Sequence, residues 1–423
     1  MVIPVLHRSR RRLSSIALAL GTAGALVLSP ASAVGSALQP ADDSASAYTT
    51  ATAQHAPERV SGAGPAFYGW TADIPAPGTL LRIGDYSGTA PADASTRLIL
   101  YSTTRADGSP AVASAVVAIP DAATATERTV LAWQHGTTGV AQACAPSLTD
   151  IALTPEAIPG IDRAIDRGWV VVATDYPGQG TAGRYPFLIG EGEGRSTLDG
   201  IRAVGQLPEA DAGRDALLWG HSQGGHATLF ADQIAATYAP ELRIRGVAAL
   251  SAAADPMLMA RRVLGPDAGA LSAVIASYVL VPYADEYPDV VLEDYVTPGL
   301  SPLVQSFAAH CTSDPAMALS VLSASVVNEV VPVIDADLDD SPAARRLTEN
   351  IASGDGTAPL FLGQGTEDEV VPIDSQRELV PRAQASGRSV TVHEYEGGTH
   401  MGVIAADSPL IDDLFGWADA LGV

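Results

Sequence analysis

Short runs of Val, Ile, Leu and Ala alternate along the chain with longer stretches whose apolar residues recur every three or four positions. The runs "TRLILYSTT" (96–104), "AVASAVVAIP" (111–120), "RTVLAWQH" (128–135), "GWVVVATD" (168–175), "DALLWGH" (215–221), "IRGVAALSAA" (244–253), "TAPLFLGQG" (357–365) and "RSVTVHEYEG" (388–397) read as strands. Between them "PEAIPGIDRAIDRG" (155–168), "GRSTLDGIRAVGQL" (194–207) and "QGGHATLFADQIAATY" (223–238) read as helices. Apolar strands without polar alternation, separated by helices, predict a mostly parallel sheet covered on both faces, an α/β architecture. The first two strands flank "RADGSP", whose Asp-Gly pair turns the chain back into an antiparallel edge.

The rhythm breaks between 255 and 355. There "ALSAVIASYVLVPY" (270–283) and "DPAMALSVLSAS" (314–325) are helical in pattern, and proline-rich connections replace strands. This predicts a helical cap, or lid, inserted into a core formed by 64–254 and 356–423. The stretch is far too long for a plain loop. Residues 34–63 are small and polar and are expected to form a disordered leader. Ahead of them, "HRSRRR" (7–12), an apolar run and "ASA" (31–33) fit an export signal over 1–33, so the protein is expected to be secreted.

Composition narrows the partners. The chain has 423 residues, is 47% hydrophobic and carries a formal charge of −24 with no lysine. Residues 1–33 hold four arginines and no acid, so their removal leaves −28. An acidic surface without basic tracts argues against nucleic acid and anionic membranes. Cys144 and Cys311 suit one disulfide in an oxidising compartment, or two buried thiols. No metal-like spacing, P-loop or dinucleotide fingerprint occurs, so no cofactor is expected. Nothing in the pattern sets an oligomeric state.

The chemistry centres on "LLWGHSQGGHA" (217–227), where Gly220, Ser222 and Gly224 form G-x-S-x-G between a strand and a helix. Such an elbow holds a serine in a strained turn, with its hydroxyl above the sheet, while the glycines let strand and helix approach. The acid and base should follow in chain order at later strand ends. Asp368 in "GTEDEVVP" and His400 in "GGTHMG" occupy those positions. Glu367, Glu369 and Asp255 compete for the acid. His221 and His226 lie closer to the serine, but the turn should carry His221 away from it and the helix should bury His226. Oxyanion donors are expected at the N–H of Gln223 and in "WQHGTTG" (133–139), where Gly136 would let the chain turn and present Thr137 or Thr138. Asp175 and Tyr176 of "DYPGQG" are expected to line the pocket.

With "AWQHGTTG", "CAPS" (144–147), "DYPGQG", "WGHSQGGHA", "HCTSDP" (310–315), "GTEDEVVP" and "GGTHMG" in place, the chain resembles α/β-hydrolases of the secretory lipase family over roughly 64–423. That resemblance implies a Ser222–Asp368–His400 triad, an oxyanion hole, a helical cap, a Cys144–Cys311 disulfide and hydrolysis of acyl esters, triacylglycerol or related lipids. An apolar cap helix could shelter a fatty acyl chain and touch a lipid interface transiently. A short-chain esterase or a serine aminopeptidase on the same fold is the alternative; a peptidase would need a carboxylate for the substrate amine, such as one in "DEYPDVVLED" (285–294).

Overall fold

The computed structural model describes residues 56–60, 64–264 and 269–423. The expected export signal and most of the expected leader lie outside them. Ten strands form one sheet: β1 (Glu58–Arg59), β2 (Leu80–Gly84), β3 (Ala94–Thr104), β4 (Pro110–Pro120), β5 (Arg128–Gln134), β6 (Val170–Thr174), β7 (Ala212–His221), β8 (Arg243–Leu250), β9 (Leu360–Gly365) and β10 (Val390–Tyr395). Their spatial order is β1-β2-β3-β4-β6-β5-β7-β8-β9-β10. Strands β2 to β4 pair antiparallel, as do β4 and β6, and every pair from β6 and β5 to β10 is parallel.

Burial on both faces explains the unbroken apolar runs. Along β5, Val130 and Ala132 enter one core, while Leu131 and Trp133 enter the other. The helix Gln223–Tyr238 packs on the first face and the helix Pro409–Ala420 on the second. The expected hairpin forms at Arg105–Ser109: Gly108 has φ 80° and donates to the Arg105 carbonyl, while Asp107 accepts from the Ser109 N–H.

Two elements depart from the sequence pattern. The helix expected over 155–168 is only Ile161–Asp166, because Gly160 (φ 72°) sets a left-handed entry after Pro159. Chain pairing also starts earlier than Gly64, since Glu58 and Arg59 run parallel to Arg82 and Ile83.

Between β8 and β9 come the helices Pro256–Val263, Ala270–Glu286, Ser301–Ala308, Ala316–Asn328 and Pro342–Glu349. Their apolar residues, among them Val274, Tyr278, Val304, Phe307 and Leu347, build a third core with Tyr185, Phe187 and Leu188. The helix Ala270–Glu286 is apolar nearly all round because most of its length is buried there. Among the described residues no helix is long and apolar enough to cross a membrane.

Candidate active site

The elbow forms as its glycines require. Ser222 has φ 58° and ψ −118°, a conformation disfavoured for any residue with a Cβ. A Cβ on Gly220 would collide with the Gly224 carbonyl, and one on Gly224 with the Gln134 carbonyl. Two main-chain bonds hold the turn to the end of β8: Ser222 N–H to Leu250 O at 2.9 Å and Ala253 N–H to Ser222 O at 3.0 Å.

Ser222, His400 and Asp368, at the ends of β7, β10 and β9, meet in one hydrogen-bonded chain. His400 Nε2 lies 3.0 Å from Ser222 Oγ, and His400 Nδ1 lies 2.9 Å from Asp368 Oδ2. A carboxylate facing Nδ1 makes that nitrogen the donor, leaving the Nε2 lone pair to accept the serine proton. Burial alone would raise the Asp368 carboxyl. Its hydrogen bond and attraction to His400, with the Val371 N–H, outweigh burial and hold it below its ordinary value.

The competing acids have other tasks. Glu369 Oε2 accepts the His400 main-chain N–H at 3.2 Å, and Asp255 caps the helix Pro256–Val263 through Leu258 N–H. Glu367 is bonded through its own N–H to Gly398 O. The neighbouring histidines are structural. His221 Nε2–H donates to the His400 carbonyl at 2.9 Å, and burial followed by repulsion from His400 lowers its pKa to about 3. His226 is fully buried between Glu193 and the Asn350 carbonyl.

Gln223, Thr137 and Thr138 all line the same cavity as Ser222 and His400. The Thr138 carbonyl accepts the Thr312 N–H at 2.9 Å, and the Gln179 amide braces the loop through Thr138 Oγ1 and the Gly139 carbonyl. The turn depends on a different glycine from the one expected. A Cβ on Gly136 would make only ordinary contacts, whereas Gly139 has φ 123° and a Cβ there would lie 2.6 Å from Cys144 Sγ. Cys144 and Cys311 are disulfide-bonded and both face the cavity, so the bridge joins this loop to the cap.

The expectation that Asp175 and Tyr176 line the pocket is not met. Asp175 turns into the core, accepting from Ser114 Oγ at 2.5 Å and from Ser147 N–H at 2.9 Å. Burial pushes its carboxyl up to about 6 against these bonds. Tyr176 is fully buried, and its hydroxyl points to the His135 carbonyl. Ala173 and Thr174 reach the cavity instead.

The cavity holds about 430 Å³ and is walled on the cap side by Met259, Val263, Ile275, Tyr278 and Val279. Sequence reasoning missed the buried Gln179 and Glu193, which sit in glycine-rich text resembling surface turns. Among the described residues no group of three His, Cys, Asp or Glu side chains is arranged to hold a metal.

A mostly parallel sheet with helices on both faces and a serine elbow at the end of its central β7 defines an α/β-hydrolase. The family model of secretory lipases matches residues 146–413, and the chain belongs to that family, one of carboxylic-ester hydrolases. Lipase A of Arthroderma benhamiae is 28% identical over 71% of this chain and 66% of its own length, just under two thirds. A protein of Mycobacterium tuberculosis named a "probable inactive lipase" is 24% identical over 79% of this chain and 76% of its own. The X-ray structure of Candida antarctica lipase A in its closed state superposes with a TM-score of 0.67 at 22% identity, covering 85% of this chain and 86% of that one.

Proposed function

We propose that the protein is a secreted serine ester hydrolase that cleaves acyl esters of lipids such as triacylglycerol, with Ser222, His400 and Asp368 as its triad. The observation that carries this reading is the 3.0 Å approach of His400 Nε2 to Ser222 Oγ at the edge of an apolar cavity. His400 takes the serine proton as Oγ attacks the ester carbonyl, and the imidazolium is stabilised by Asp368. The N–H groups of Gln223 and Thr137 hold the oxyanion. Collapse of the tetrahedral intermediate expels the alcohol, which takes its proton from His400 and leaves an acyl-Ser222. Water, deprotonated by His400, then releases the fatty acid and restores the serine.

The apolar wall of the cap supports an acyl chain as the group held there. None of the acidic residues of 285–294 lines the cavity, since Glu286 pairs with Arg184 and Asp289 with Arg346; the exposed Glu156 does line it. The disulfide and the secretory family support export. A lipid surface is a fitting transient partner, because Leu319, Leu322 and Val326 project from the helix Ala316–Asn328 at 58–64% exposure.

The test is a series of esters from acetyl to long-chain acyl, with an aminoacyl amide, assayed on the intact chain and on Ser222→Ala. Hydrolysis of long-chain esters that disappears in the variant is expected. Cleavage of the amide alone, or ester turnover that survives Ser222→Ala, would refute the proposal.

A further inference from the structure

Glu193 is a wholly buried carboxyl group on the helix Gly190–Val204. A polar group so placed needs partners that replace its water. Three surround it. Glu193 Oε1 accepts the Leu188 N–H at 2.9 Å and the Gln223 side-chain amide at 2.8 Å, while Oε2 meets His226 Nδ1 at 2.7 Å. His226 Nε2 faces the Asn350 carbonyl at 2.8 Å, which can only accept, so that nitrogen carries a proton.

These partners come from three parts of the molecule. Gln223 and His226 form the first turn of the helix that leaves Ser222. Leu188 is a cavity wall residue held at φ 52°, and its carbonyl accepts the Tyr283 hydroxyl of the cap at 2.8 Å. Asn350 closes the last cap helix, and its side chain accepts the Gly190 N–H at 2.9 Å. The second hydrogen of the Gln223 amide goes to the Tyr185 hydroxyl at 2.9 Å, so the orientation of that side chain is set from both sides.

We infer that Glu193 is a positioning residue: it clamps the Gln223 turn, the source of one oxyanion donor, to the cavity wall and to the cap. This rests on the triad reading proposed above. A donor turn displaced by a fraction of an ångström weakens the bond to the transition state far more than the bond to the ground-state ester. The loss therefore falls on kcat and spares KM.

The experiment compares Glu193→Met with the parent on a soluble p-nitrophenyl ester, with active sites counted by phosphonate titration of Ser222. Expected are a fall of roughly 10–30-fold in kcat per titrated site, a KM within about threefold, and an equal loss of affinity for a boronic acid. Glu193→Gln, whose amide can accept from Leu188 and Gln223 and donate to His226 Nδ1, should restore most of the rate. Gln223→Met, which keeps the main-chain N–H and the side-chain length but loses the amide, should show the same split as Glu193→Met. It also decides the matter should Glu193→Met fail to fold. A kcat within twofold of the parent in folded Glu193→Met or Gln223→Met overturns the inference. Ser222→Ala is the separate control: turnover surviving there sinks the triad itself, whereas a dead Ser222→Ala beside a fully active Glu193→Met sinks this inference alone.

Discussion

The hydroxyl of Ser222 and Nε2 of His400 stand 3.0 Å apart although the residues are 178 positions apart in the chain. Four adjacent parallel strands, β7 to β10, close that distance by bringing their C-terminal ends to one edge of the sheet, where sites on open α/β sheets form.

Replacing Ser222 or Asp368 should all but stop turnover. Ser222→Ala is expected to lower kcat by about 10⁵–10⁶-fold, and Asp368→Asn by about 10⁴-fold, because an amide facing Nδ1 favours the wrong imidazole tautomer. Steady-state kinetics on a soluble ester, with folding checked by circular dichroism, measures both.

Gly224→Ala should prevent the elbow from closing, since the new methyl would occupy the place of the Gln134 carbonyl. A loss of several kcal/mol of stability, about 3 or more, is expected, read from urea unfolding. Gly136→Ala, with only ordinary contacts around its Cβ, should cost less than about 1 kcal/mol by the same measurement.

The Cys144–Cys311 bridge closes a loop of 167 residues, worth about 4–5 kcal/mol in the chain-entropy account. The double variant Cys144→Ala/Cys311→Ala should show a lowered Tm by calorimetry. It should also lose activity, because Thr138 and Gly139 lean on the bridged segment.

Stability should fall as pH rises through 6. Burial lifts Asp175 from 3.8 to about 6, so the folded chain holds this proton more tightly than the unfolded chain does. That stabilisation is complete below about pH 4 and is lost as pH passes 6, on the order of 3 kcal/mol. Asp175→Asn should flatten the urea midpoint between pH 4 and 7, leaving the parallel contribution of Asp199, whose carboxyl burial also lifts to about 6.

Replacing Leu319 and Leu322 by Asp should reduce hydrolysis of emulsified triacylglycerol by about tenfold or more and leave a soluble short-chain ester within twofold. Equal rates on the emulsion would remove the lipid-facing role from this helix.

Much of this architecture was legible in the sequence because the parallel strands are buried on both faces and so write themselves as continuous apolar runs. Ser222, Asp368 and His400 stood out because each follows such a run. β2 was not legible: Arg82 interrupts "LLRIG", and only the fold shows its guanidinium collecting the carbonyls of Ala66, Phe67 and Gly69. Within 133–139 the glycine that the fold constrains is Gly139, not the expected Gly136. The need for Gly139 comes from a cysteine pair joined across the fold, which local text does not reveal. The buried settings of Asp175, expected to line the pocket, and of Glu193 depend on donors distant in sequence, which local text does not reveal.

The hydrogen bond from His221 to the His400 carbonyl has a mechanical meaning. The loop that carries His400 is moored to the residue next to Ser222, so a fluctuation that lifts the elbow lifts His400 with it. Positional error would otherwise accumulate across β8, β9 and β10. Through this tether the gap between oxygen and nitrogen is fixed locally as well as through the sheet.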